Sequence, residues 1–167
     1  MNILLKDVNP KDSFLLYDFY QKIPADECGF KNDAYNVSKD EFIKYLQKKH
    51  DSSQGINIKP NRVPSTEFIL YIDNNPVGIG RVRHYLTKEL LNHAGHISFA
   101  IAPEFRGQGY ATLLLKLLIE QAKMLNLSKV LLTCNENNIG SYKAIERNGG
   151  TLDKIQSGER FYWINLA

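Results

Sequence analysis

The chain has no apolar run approaching the roughly 18 residues needed to cross a bilayer. Its opening stretch, Met1 to Asp7, lacks the apolar core of roughly 7–15 residues that marks a secretory signal. A cytoplasmic location with no membrane partner is therefore expected. Cysteine is scarce: Cys28 and Cys134 stand alone, without CxxC or metal-ligand spacing. They read as reduced thiols, and no metal is expected. Charge of one sign is also lacking, since 21 Lys and Arg face 18 Asp and Glu for a net +3. That excess is small and scattered, so no nucleic-acid partner is expected, although an anionic ligand is compatible with it. Neither an internal repeat nor a low-complexity segment is present.

What the 167 residues do hold is an ordinary globular composition, 43% apolar and 23% charged, enough for one core and one domain spanning 1–167. Asn2 to Asp7 predicts a strand, and Asp12-Ser13 a cap for a helix running to about Ile23. Residues 25–37 read as loop. Ser38 to Glu41 is a capping box ahead of Phe42, Ile43, Tyr45 and Leu46. Glu67 to Ile72, the turn Asp73 to Pro76, and Val77 to Arg83 predict a hairpin. A helical turn is expected over Leu86 to Asn92, and a buried strand over Gly95 to Ala102. Lys129 to Cys134 is a short apolar strand, consistent with a parallel neighbour of the preceding one. A helix over 138–148 ends at Gly149-Gly150, and Arg160 to Asn165 is a final strand.

The stretch from Ile101 through Arg106-Gly-Gln-Gly109-Tyr-Ala111 to the apolar helix beginning at Thr112 carries the most information. A helix that opens behind a glycine turn presents unpaired N–H groups and the positive end of its dipole, which together suit an anion. Two nucleotide motifs fail here. A dinucleotide-binding GxGxxG would need glycine where Thr112 stands, and a Walker A loop needs the Gly-Lys-Ser/Thr that is absent.

The order Arg106-Gly-Gln-Gly-Tyr-Ala111 resembles the Arg/Gln-x-x-Gly-x-Gly/Ala turn of the GNAT (Gcn5-related N-acetyltransferase) superfamily. The likeness extends from Gly95 to the C-terminus. It includes the strand ending Phe99-Ala-Ile-Ala-Pro103, the pair Asn138 and Ser141, and the helix ending Glu146-Arg-Asn-Gly149. The phrases Arg62-Val-Pro-Ser65, Arg83-His84 and Phe161-Tyr-Trp-Ile164 are similar to a bacterial group of acetyltransferases recognised from sequence.

The resemblance implies an α/β (α+β) fold: a mixed, mostly antiparallel sheet splayed between its fourth and fifth strands, with helices on both faces. It implies acetyl-CoA as cosubstrate and transfer of the acetyl group to a primary amine by direct attack on the thioester. The amine would belong to a small molecule or a peptide, and a homodimer is compatible with the reading. On this resemblance, residues 107–112 (Gly107, Gln108, Gly109, Tyr110, Ala111 and Thr112) would cradle the pyrophosphate, with Arg106 beside them. Backbone near Phe99, Ala100 and Ile101 would receive the pantetheine arm, with the amide of Ala100 or Ile101 on the thioester carbonyl. Asn138 and Ser141 match positions that touch that arm.

The catalytic groups depart from the pattern. The family places a tyrosine general acid where Ile145 stands, so Tyr142, one turn earlier, is the substitute candidate. His96, near the start of the splayed strand, is the candidate base. Three histidines, 84, 93 and 96, lack the carboxylate or cysteine spacing of a metal site. Tyr17, Phe19, Tyr20 and Tyr35 are candidates for the acceptor pocket, with core packing the competing reading. The missing tyrosine motivates an alternative, a non-catalytic acyl-CoA-binding or sensing domain.

Overall fold

The near-continuous apolar run Phe68 to Ile72 is explained by a strand buried on both faces. In the computed structural model, which describes residues 1–27 and 29–167, that run lies in β2 (Ser65–Ile72), between β1 (Ile3–Asp7) and β3 (Asn75–Arg83). Phe68, Leu70 and Ile72 face one core cluster, while Ile69 and Tyr71 face the other, as a period of two requires. β4 (Ile97–Ile101) completes the first half-sheet in the order β1-β2-β3-β4. A second half-sheet holds β5 (Lys129–Asn135), β7 (Glu159–Asn165) and β6 (Thr151–Gln156), in the order β5-β7-β6.

Helices cover both faces. α1 (Ser13–Gln21) and α2 (Lys39–Ser53) bring Leu16, Phe19, Tyr20, Phe42 and Leu46 onto Ile69, Tyr71 and Ile79. On the other side α4 (Tyr110–Lys123) packs Leu114, Leu115 and Leu118 against β2, β3 and β5, beside α5 (Ile139–Arg147). α4 lies so close to β3 that a Cβ at Gly80 would come within 2.5 Å of Leu118 Cδ1. A short α3 (Lys88–His93) precedes β4. Among the described residues no helix is long and apolar enough to cross a membrane.

The fold class and the split between β4 and β5 agree with expectation; several local details differ. The capping box forms in full, with Ser38 Oγ accepting from the Glu41 N–H and the Glu41 carboxylate accepting from the Ser38 N–H. At α1 the Asp12 side chain makes no capping bond; instead Asn9 caps a 3₁₀ turn, Pro10–Asp12, that leads into the helix. Within the expected loop, Asp26–Glu27 pairs with Phe30–Lys31 as a small antiparallel hairpin. Cys28, expected as a reduced thiol, lies outside the described residues.

β6 has no counterpart in the sequence-based reading. All of its residues are exposed, and a bulge at Asp153 interrupts the alternation that would signal a strand. The parallel partnership expected for Lys129 to Cys134 does not form. β5 takes its ladder from β7, antiparallel, and meets the chain before β4 at one isolated antiparallel bridge, Gly95–Leu132. An apolar run specifies burial but not the direction of its neighbour.

Candidate active site

The register of β4 decides which of its backbone groups are available. Arg83 N–H donates to His96 O at 2.7 Å and Ala102 N–H to Val77 O at 3.0 Å. Antiparallel pairing alternates, so Ser98 and Ala100 direct their backbone polar groups to β3, as do the His96 carbonyl and the Ala102 amide. Ile97, Phe99 and Ile101 therefore direct theirs to the open edge, into the gap before β5. This corrects one expectation: the Ala100 amide belongs to the β3 ladder, and the amides available to a ligand are those of Phe99 and Ile101.

Where β4 ends, a 3₁₀ turn over Pro103–Phe105 leads into Arg106 and the glycine turn. Gly109 has φ +84° and N-caps α4 without any side-chain bond. None of residues 107 to 112 donates its backbone N–H to a protein acceptor among the described residues. Six successive free amides at a helix start, reinforced by the helix dipole, make a strong anion cradle. Arg106 holds the turn in place: its Nε donates to Ile101 O at 3.2 Å, and its Nη2 pairs with Glu27. Glu104, the other acid within reach of this turn, is bound to Lys22 at 2.5 Å.

A cavity of about 330 Å³ opens over this cradle. Phe99, Ala100, Ile101, Arg106, Gly107, Gly109, Tyr110, Ala111, Thr112, Asn138 and Ser141 all line it. The structure thus brings together every expected cofactor position except Gln108, which is exposed and outside the lining. Asn138 is committed in part, since its Oδ1 caps α5 by accepting from the Ser141 N–H at 3.3 Å. Phe105 and Arg147 also line the cavity, and neither stands out in the sequence. Arg147 lies in the last turn of α5, where a basic residue reads simply as a dipole partner.

A second cavity, of about 290 Å³, continues from the first; Phe99 and Ser141 belong to both. Its wall includes Asp26 and Lys31 of the small hairpin, Arg81 and Arg83 of β3, Ser98, Thr133, Cys134 and Asn135, and Glu159. Arg81 is fixed by Glu67, donating from Nε at 3.1 Å and Nη2 at 2.7 Å. Glu67 is fully buried and also accepts from Tyr20 Oη at 2.7 Å and Tyr45 Oη at 2.8 Å. Burial alone would raise the Glu67 carboxyl, but Arg81, Lys49 and the Tyr20 bond hold it below the usual carboxylate range. Burial pushes the Cys134 thiol up to about 11, so it stays protonated and is a poor nucleophile near neutrality.

Neither sequence-derived catalytic candidate lines a cavity. His96 is buried, and its Nδ1 accepts from the Leu131 N–H at 2.9 Å. Burial, with Arg83 nearby, pushes its pKa down to about 4, so the ring is neutral near pH 7 and its acceptor lone pair is already engaged. It is a weak base that points at β5 rather than at an acceptor. Tyr142 packs beneath the Arg160 guanidinium, 4.1 Å from its ring centroid. Ile145 has no exposed surface and packs against Gly150. The aromatic candidates are likewise structural: Phe19 and Tyr20 are core, and Tyr17 Oη donates to Val37 O at 2.6 Å. Neither Tyr17 nor Tyr35 lines either cavity. His84 is bonded to Thr66 at 2.9 Å, and no group of three or more His, Cys, Asp or Glu converges among the described residues.

Known proteins share this architecture. The structure is similar to a GNAT-family acetyltransferase from Streptococcus pneumoniae, with 17% identity, TM-score 0.69, and coverage of 99% of this chain and 100% of that one. It is similar to RimL, the ribosomal L7/L12 alpha-N-protein acetyltransferase, in complex with coenzyme A bound as a cysteine disulfide; identity is 18%, TM-score 0.75, and coverage 99% and 94%. A third neighbour is the Campylobacter jejuni N-acetyltransferase PseH in complex with acetyl coenzyme A, at 15% identity, TM-score 0.64, and coverage of 99% and 100%. No curated protein sequence matches the chain. The family model for acetyltransferases of the GNAT family matches residues 31–150, most of the chain. With the split sheet and the amide cradle, that match leads to one conclusion: the chain belongs to the GNAT acetyltransferase family.

Proposed function

We propose that the chain transfers the acetyl group of acetyl-CoA to a primary amine by direct attack on the thioester. The observation that carries this reading is the run of free amides at residues 107–112, opening into the same cavity as the free edge of β4. Acetyl-CoA has a pyrophosphate for the first and an amide-bearing arm for the second. The arm would lie along β4 as an added strand, and the neighbours solved with coenzyme A or acetyl coenzyme A support the assignment.

In this reading, Gly107 to Thr112 bind and orient the donor through their amides. The N–H of Phe99 or Ile101 donates to the thioester carbonyl and stabilises the negative charge that develops on it. The amine nitrogen attacks the carbonyl carbon, the C–S bond breaks, and the proton shed by the nitrogen passes to the departing thiolate or to solvent. Ser141, which lines both cavities, would offer a hydroxyl to the departing sulfur. Holding donor and acceptor together supplies much of the acceleration, because no side chain in either cavity is an activated nucleophile.

A second reading, a non-catalytic acyl-CoA-binding domain, is favoured by one observation: Tyr142 and His96 are both withdrawn from the cavities. One experiment separates the two. Isothermal titration measures acetyl-CoA affinity, and a thiol-release assay against a panel of amines measures transfer. Binding with release on at least one amine supports transfer. Binding without release across the panel supports the binding domain.

A further inference from the structure

The second cavity has an unusual balance of charge. Lys31 is neutralised by Asp26 at 2.5 Å, and Arg81 by Glu67 at 2.7 Å. Two charged groups remain in its wall without an ion-pair partner among the described residues, Arg83 and Glu159. Arg83 uses one donor, Nη1 to Gly95 O at 3.0 Å, and its other donors have no protein acceptor among the described residues. It is half-buried, and burial together with Arg81 and Arg62 lowers it to about 10, so nothing nearby compensates its charge. A bidentate guanidinium left this way is matched in geometry and charge by a carboxylate.

Two more observations bear on the ligand. Ser98 Oγ, in the same wall and in register with Arg81, is buried with no hydrogen-bond partner. Buried polar groups are seldom left so, and a hydroxyl beside an anion site would satisfy an oxygen of the ligand. The two unpaired charges also come from opposite halves of the split sheet, Arg83 from β3 and Glu159 from β7. Arg83 pairs across from His96, three residues and about 10 Å along β4 from Phe99, where the cavities meet. A ligand reaching from Arg83 to that junction is compact.

We propose that the acceptor is a compact amino-carboxylate, bound with its carboxylate on the Arg83 guanidinium and its ammonium facing Glu159 across the gap. Naming this ligand the acceptor rests on the acetyl-transfer reading; the binding site itself does not. Before attack the ammonium loses its proton to solvent, and the free amine then forms the new C–N bond. Polyamines, which carry only positive charge, meet the uncompensated Arg83 in the wall and are disfavoured there by like-charge repulsion.

The test is titration of the full chain, loaded with coenzyme A, with the α-amino acids, β-alanine and 4-aminobutyrate, each beside its own carboxamide and with spermidine as polycation control. At least one amino-carboxylate is expected to bind at least tenfold more tightly than its carboxamide. Arg83→Gln is expected to erase that ratio with acetyl-CoA affinity unchanged, and Glu159→Gln to weaken the same ligand about tenfold. The ratio on the unaltered chain is decisive even if a variant fails to fold, and Arg83→Lys provides a second cation there. Equal affinity for carboxylate and carboxamide, preference for spermidine, no binding by any amino-carboxylate, or a ratio that survives in Arg83→Gln overturns the proposal. Thiol release is read separately: ligand binding with the expected ratio but no release sinks acetyl transfer and leaves the anion site standing.

Discussion

His96 and Leu131 are joined by two hydrogen bonds: the His96 N–H donates to Leu131 O at 2.7 Å, and the Leu131 N–H donates to His96 Nδ1 at 2.9 Å. The imidazole thus occupies the place of a strand neighbour at the point where β4 and β5 begin to part. A backbone N–H can only donate, so Nδ1 carries no proton and the ring's hydrogen sits on Nε2. Together with the Gly95–Leu132 bridge, the residue closes the apex of the split sheet. Beyond it the two strands diverge, and the gap becomes the cavities.

The depressed pKa of His96 gives stability a definite pH dependence. An unfolded chain binds this proton near 6.5, whereas the folded chain resists it until about 4. The unfolded state therefore holds more protons between those values. The contribution is full above pH 6.5 and is lost as pH falls toward 4. Urea unfolding at pH 7, 5.5 and 4.5 should show His96→Gln with a shallower loss of stability than the unaltered chain over that window. An identical slope in the two proteins would remove His96 from this role.

Gly109→Val probes the amide cradle. A Cβ there meets nothing within 4 Å, so no clash inside the protein is involved. The variant instead forces a β-branched residue to φ +84°, which costs about 1–2 kcal/mol, and places its side chain at the cavity wall. The expected result is a modest drop in melting temperature and at least a tenfold loss of acetyl-CoA affinity by titration. Unchanged affinity would sink the pyrophosphate assignment.

Glu67→Gln should be severe. It leaves Arg81 as a buried cation without its partner, at a cost of about 3–5 kcal/mol in urea unfolding. Tyr45→Phe removes one hydrogen bond to the same carboxylate and should cost about 1.5–3 kcal/mol. A loss below about 1 kcal/mol for Glu67→Gln would mean that the network contributes no more than a surface ion pair.

Cys134 should be inert despite lining a cavity. With its thiol pushed up to about 11, its thiolate fraction at pH 7.5 is more than a hundredfold below that of an ordinary cysteine. Peptide mapping after brief iodoacetamide treatment of the native protein should find Cys134 unmodified, and denaturation should expose it. Rapid native labelling would contradict the burial that sets its state.

The amide run proposed to hold the donor was legible in the sequence because its chemistry is local. Gly107, Gly109 and the helix behind them are adjacent in the chain, and a helix start presents its amides whatever else the protein does. The second cavity was not legible. Asp26 and Lys31, Arg83, Ser98, and Glu159 come from four separate stretches, and each alone looks like a solvated or strand residue. Only the alternation Arg81-Val82-Arg83, two cations on one strand face, could have drawn notice. His96 and Tyr142 illustrate the converse. Their residue types suit proton transfer, but what a side chain does depends on where it points, and here they point at Leu131 and Arg160.

The sequence alone therefore determined the fold class, the order of most elements and the run of free amides at the start of α4, all properties of periodicity and of neighbours along the chain. Tertiary structure alone decided that β5 pairs with β7 and not β4, that the backbone groups of Phe99 and Ile101 rather than Ala100 face the gap, and that Arg83 has no counter-charge among the described residues. Strand partners, register and ion pairs are contacts between distant residues. Each is settled by the competition of all possible partners in the folded chain, which no local pattern records.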